Sequence, residues 1–128
     1  IPVYAKVYNY PELARELSSL RFDSDKYETR LSSALEPDLI VLDDFLDVIP
    51  KADSFEEQVA LSIIKRRYVQ QKPLVITTEL TPIHFRNLMP RHGEAIFGRI
   101  YERCDKRVFV ANQDSQNYRF ANSQTIEG

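Results

Sequence analysis

Apolar and polar positions along this chain change period several times, and the changes mark out its elements. Val3 to Tyr8 alternates in character and is rich in β-favouring residues, which predicts a strand solvated on one side, at a sheet edge. Pro11 suits the first turn of a helix, and Leu13, Leu17 and Leu20 follow on one helical face. The polar break at Asp23-Ser24-Asp25 supplies a cap for a second helix, in which Tyr27, Leu31, Ala34 and Leu35 recur at helical spacing until Pro37. Leu39-Ile40-Val41-Leu42 is a continuous apolar run, the pattern of a parallel strand covered on both faces. Ser54-Phe55-Glu56-Glu57 has the form of a capping box and opens a helix with Phe55, Val59, Ile63 and Ile64 inward, which Pro73 ends. Leu74-Val75-Ile76 is a short buried strand with a polar exit at Thr77-Thr78-Glu79. Thr81-Pro82 and Pro90 start further helices, the second with Ile96, Phe97 and Ile100 inward, and Val108-Phe109-Val110-Ala111 is a last buried strand. Strands alternating with helices predict a parallel α/β sheet with right-handed crossovers and ligands at the strands' carboxyl ends.

Composition narrows this picture only a little. The chain has 128 residues, enough for one domain with a core, and 43% hydrophobic and 28% charged residues. Its formal net charge of −2 argues against a surface that is basic all round. No apolar run approaches the roughly 20 residues of a membrane span. A single cysteine, Cys104, forms no internal disulfide, so a reducing cytoplasm is the expected compartment. His84, His92 and Cys104 lack zinc spacing. Ile1-Pro2-Val3 enters a strand pattern at once, which reads as a chain cut in mid-domain.

The chemistry concentrates at strand ends. Leu39 to Leu42 runs straight into Asp43 and Asp44, the form of a Walker B element. In such an element the first carboxylate helps to hold hydrated Mg²⁺ and the second orients or activates the attacking water. The same two acids also suit the caps of a loop. Thr77, Thr78 and Glu79 stand where a group sensing nucleotide is useful, or form an ordinary strand exit. Arg99, among apolar helix positions, suits a salt bridge or a guanidinium presented to phosphate across a subunit boundary. Arg119, in Asp114-Ser115-Gln116-Asn117-Tyr118-Arg119, is a second phosphate-facing candidate or a plain surface arginine. Lys65-Arg66-Arg67 ends a helix, where cations complement the macrodipole; contact with DNA phosphates is the other reading.

Taken in order, these motifs are more specific than any one of them. The sequence runs from an apolar strand into Asp-Asp, through a helix ending in Arg-Arg, to Pro-Leu-Val-Ile-Thr-Thr, Gly-Glu-x-x-x-x-Arg and Asp-Ser-x-x-Tyr-Arg. From Val3 to Arg119 it resembles the AAA+ ATPase domain of bacterial and phage replicative helicase loaders, the DnaC and DnaI group, with the IstB transposition ATPases related. The resemblance implies a three-layer P-loop NTPase sheet with helices on both faces, and ATP and Mg²⁺ as cofactors. It implies Asp43 on the magnesium side, through water, and Asp44 at the catalytic acid position. Glu79 stands where the family commonly has Asn at sensor 1. Arg99 becomes the first choice for arginine finger, with Arg103 in reserve, and Arg119 the sensor 2 arginine. The implied partners are a replicative helicase, single-stranded DNA and further copies of the chain, in the primosome.

A P-loop requires Gly-x-x-x-x-Gly-Lys-[Ser/Thr], and the three glycines, Gly93, Gly98 and Gly128, do not provide one. Residues 1–128 are therefore expected to be a partial AAA+ domain, Walker B to sensor 2, without the central P-loop strand and helix and inactive by itself. The alternative is a degenerate AAA+ module that regulates or assembles without catalysis. A magnesium-dependent nuclease would need more acids at other strand ends, where only Glu79 offers itself.

Overall fold

The computed structural model describes residues 2–80, 98–99 and, as backbone only, 108–111 and 123–126. The helix starts expected at Thr81 and Pro90, together with His84, His92, Arg103, Cys104 and Arg119, lie outside the described residues.

Three strands, β1 (Ala5–Asn9), β2 (Leu39–Asp43) and β3 (Leu74–Ile76), form a parallel sheet in that order. Helices α1 (Tyr10–Ser19) and α2 (Ser24–Ala34) connect β1 to β2, and α3 (Phe55–Gln70) connects β2 to β3. This is the parallel α/β arrangement that the sequence predicts. Each helix start has a local cause: the side chains of Asn9, Asp23 and Ser54 accept from the backbone N–H three residues on, at Glu12, Lys26 and Glu57. The box at Ser54 is shifted by one residue, because the Glu57 carboxylate accepts from the Asp53 N–H rather than that of Ser54.

The helices pack on one face of the sheet. Tyr8, Ile40 and Leu42 point into that side and join Leu13, Leu17, Leu31, Leu35, Val59, Ile63 and Ile64 in a single buried cluster. Among the described residues no helix covers the opposite face, where the run Leu39 to Leu42 suggested cover on both sides. Strand register sets Val7, Val41 and Val75 side by side there; Val7 is 68% and Val75 46% exposed, and Val41 is only half-buried. A run of apolar residues gives both faces the same chemistry, so the pattern could not tell which face the described helices cover.

The last strand also differs. Val108–Ala111 (β4) pairs antiparallel with Ser123–Ile126 (β5) instead of extending the parallel sheet. Pairing between segments so near in sequence closes a short loop, which costs little entropy, and Val-Phe-Val suits either ladder.

Arg67 holds the layers together. It is 1% exposed and donates through Nη1 to Leu35 O at 2.8 Å and through Nε and Nη2 to Pro73 O at 3.2 and 2.9 Å. It thus ties the end of α3 to the end of α2 and the start of β3. Burial lowers its pKa, and the guanidinium is retained because carbonyl oxygens satisfy it. Arg66, one position earlier, pairs with Glu28 on α2 at the surface. Neither residue supports the reading of this helix end as a DNA-phosphate contact. Urea unfolding should separate the two arginines. Arg67→Met is expected to cost about 3 kcal/mol by leaving buried carbonyls unpaired, and Arg67→Lys to recover only part, lacking the fork. Arg66→Ala should cost less than about 1 kcal/mol.

Candidate functional site

At the carboxyl end of the sheet, register brings three polar residues into a row. Asn9 lies opposite Asp43, and the pairing of Leu42 with Ile76 carries Thr77 to the other side of Asp43. The ladder continues past the strand ends: Thr77 N–H donates to Leu42 O at 3.1 Å, and Phe45 N–H to Thr77 O at 2.8 Å. Between those bonds the Thr77 hydroxyl donates to Asp43 Oδ1 and accepts from the Asp44 N–H at 3.0 Å. One side chain therefore fixes both the carboxylate of Asp43 and the backbone of Asp44.

Asp44 is left-handed, with φ 59°. The next residue explains it: Phe45 is fully buried, edge-on to Tyr10 with ring centroids 4.6 Å apart, while Asp44 itself is exposed. The chain must reverse within one residue, and aspartate is among the few side chains that tolerate the left-handed region. The loop beyond repeats the device at Leu46 and Asp53, with φ 57° and 61°.

A third acid completes the electrostatics. Asp47 Oδ1 accepts from the Glu79 N–H at 3.1 Å and the Thr78 hydroxyl at 3.4 Å, tying this loop to the exit of β3. The Asp44 carboxyl titrates above its ordinary value, first because of the charge on Asp43, with desolvation and Asp47 adding. No three His, Cys, Asp or Glu side chains among the described residues converge as direct metal ligands. A cation here would lean on water and on other donors.

Asp43, Asp44 and the Thr77-Thr78-Glu79 exit are brought together as the sequence suggests. The bond to Asp43 comes from Thr77, however, two positions before Glu79, which is exposed and contributes its backbone N–H to Asp47. The β-register could have pointed to Thr77, since it follows the last paired residue of β3. Arg99 is elsewhere: its guanidinium lies over the Tyr68 ring, 5.2 Å from the centroid, near the end of α3 that leads into β3. It does not join Asp43 and Asp44 within the chain. The sequence reading also missed Asp47, whose spacing from Asp43 carries no motif.

No family model matches this chain. It is 28% identical over 110 residues to the phage-like element PBSX protein XkdC of Bacillus subtilis (strain 168), across 84% of this chain and 40% of that protein. It is 25% identical over 101 residues to the uncharacterized protein YqaM of the same strain, across 77% of this chain and 31% of that one. Among solved structures it is similar to the crystal structure of the DnaC helicase loader, with TM-score 0.60 and 27% identity over 78% of this chain and 58% of that chain. The chain thus spans less than two thirds of each. The fold is a helicase-loader-like α/β fold of the P-loop NTPase kind.

Two outcomes follow from the site's geometry. Because Asp44 titrates above its ordinary value, its ionisation opposes folding. That stability is intact below pH 3.8, the ordinary value, and lost as pH rises through the raised one. Asp44→Asn tolerates the same backbone and cannot ionise. Its urea midpoint should therefore gain on wild type as pH rises from 3.8 through the raised value, and a constant difference would remove the assigned repulsion. Thr77→Val should lower stability by about 1 kcal/mol in the same assay, while Thr77→Ser keeps the hydroxyl and most of it.

Proposed function

We propose that this chain carries the Walker B, sensor 1 and arginine-finger portion of an ATPase that loads a replicative helicase onto DNA. The reading is carried by the row Asn9, Asp43 and Thr77 at the carboxyl end of a parallel sheet, with Asp44 exposed beside it. The likeness to the DnaC helicase loader supports it.

The residues fit magnesium held with a nucleoside triphosphate. Adjacent carboxylates that repel one another, one of them fixed by a hydroxyl, suit a hydrated divalent cation. Such an ion, when bound with ATP, supplies the positive charge that offsets developing phosphate charge. Asp43, held by Thr77, orients water on the metal side. Asp44, outside the core and next in the chain, positions the attacking water and takes its proton. The carboxylate of Glu79 repels phosphate where an amide would attract it, which slows turnover relative to an Asn-bearing site. Arg99 serves a neighbouring copy as arginine finger, consistent with its lying apart from Asp43 in its own chain. Arg119 is assigned to sensor 2. The partners are the replicative helicase and single-stranded DNA. No described helix is long and apolar enough to cross a membrane.

A second reading, a degenerate AAA+ module without catalysis, is favoured by Glu79. ATP hydrolysis by the full-length protein separates them. Asp44→Asn and Arg99→Ala should each reduce turnover at least about tenfold, and mixing them should restore part of it through sites built from two copies. Wild-type rates in both single variants would discard the residue roles, and no hydrolysis by the wild type would favour the module.

A further inference from the structure

Phe22, in the turn between α1 and α2, is 91% exposed, the most exposed large apolar side chain among the described residues. Nothing in the packing of α1 or α2 requires it to be aromatic. Its ring lies under the Arg21 guanidinium, 5.0 Å from the centroid, and Arg21 Nη1 reaches Glu56 at 3.9 Å. Glu56 in turn lines a cavity of about 300 Å³ between α1 and the loop after β2. Its walls include Pro11, Ala14, Leu46, Val48 and Pro50, and Val48 is 77% exposed. An aromatic knob and an apolar hole therefore sit beside one another on one surface, joined by the contacts of Arg21.

We infer that this surface is an interface between two copies of this chain, in which Phe22 of each copy enters the hole of the other. Sizes agree, since a cavity of about 150 Å³ lined by apolar groups already holds a benzene ring. Knob and hole side by side make a self-complementary patch, which a two-fold axis pairs with itself and closes. Charges agree as well. Arg21, beside the knob, meets the acids of the opposite rim, Asp44 and Glu56. Arg21 and its own Glu56 are both about half exposed and 3.9 Å apart, a pair worth little and easily exchanged for its equivalent in the other copy. The surrounding charges are balanced, which does not give the positive field that draws a phosphate backbone.

The contact is small. A phenylalanine buries roughly 150–250 Å², so two knobs in two holes cover on the order of 800 Å² in total, below the roughly 1,200 Å² of a standing complex. The pairing is therefore transient alone. It requires no nucleotide, and each guest ring sits against the loop that carries Asp44.

Sedimentation velocity of the full-length protein without nucleotide, up to about 1 mM, tests it. The expected result is a concentration-dependent association that Phe22→Ala, a change at an exposed side chain, weakens at least tenfold, about 1.4 kcal/mol. Ala14→Leu fills the hole, keeps helix propensity and should do the same. Association that Phe22→Ala leaves unchanged, or a protein monomeric throughout, overturns the proposal. So does a Phe22→Ala variant that loses binding to a single-stranded oligonucleotide while associating as wild type does.

Discussion

Phe45 must be buried, and the two carboxylates immediately before it must not be. Most of the local architecture follows from that conflict. The chain leaves β2 with Asp43 at the sheet's end, turns through a left-handed residue at Asp44 and drops Phe45 against Tyr10. A left-handed aspartate is unfavourable in isolation, so the turn persists because Phe45 burial and the bond from the Asp44 N–H to Thr77 over-determine it. Thr77 can make that bond only because β2 and β3 stay in parallel register one residue beyond the last strand pair. The acids are thus held at the edge of the core by groups that have no charge themselves.

The positive charge of the chain is spent differently from what a run of Lys65-Arg66-Arg67 suggests. Arg67 is a buried brace between the ends of two helices and a strand, and Arg66 a surface partner of Glu28. Neither faces the acids at the opposite end of the sheet. The repulsion between Asp43 and Asp44 is accordingly left without a compensating cation among the described side chains, which is the condition under which a bound cation contributes most.

Among the described residues the parallel strands are covered on one side only, and the row Val7, Val41, Val75 shows the consequence: apolar residues in register with part of their surface in water. This face and the Phe22 surface have different causes. The valines are exposed because a layer is lacking among the described residues, whereas Phe22 projects from a turn with both flanking helices already packed.

From β1 to β3 the sequence by itself determined the element types and order, because each has a local cause. Caps at Asn9, Asp23 and Ser54, prolines at 11, 37 and 73, and the apolar runs of β2 and β3 are legible within a few residues. It also located the acids at a strand end, which is the core of the site. What only the tertiary structure decided depends on register and distance along the chain. Thr77 rather than Glu79 binds Asp43 because two strands align to the residue, and Asp47 joins the site through a turn that no motif encodes. Arg67 is a brace because two segments, the end of α2 and the start of β3, present carbonyls to it. The pairing of Val108–Ala111 with Ser123–Ile126 was a choice between equivalent partners. A local pattern records which face is apolar but not which surface will cover it, since burial is a property of the assembled layers.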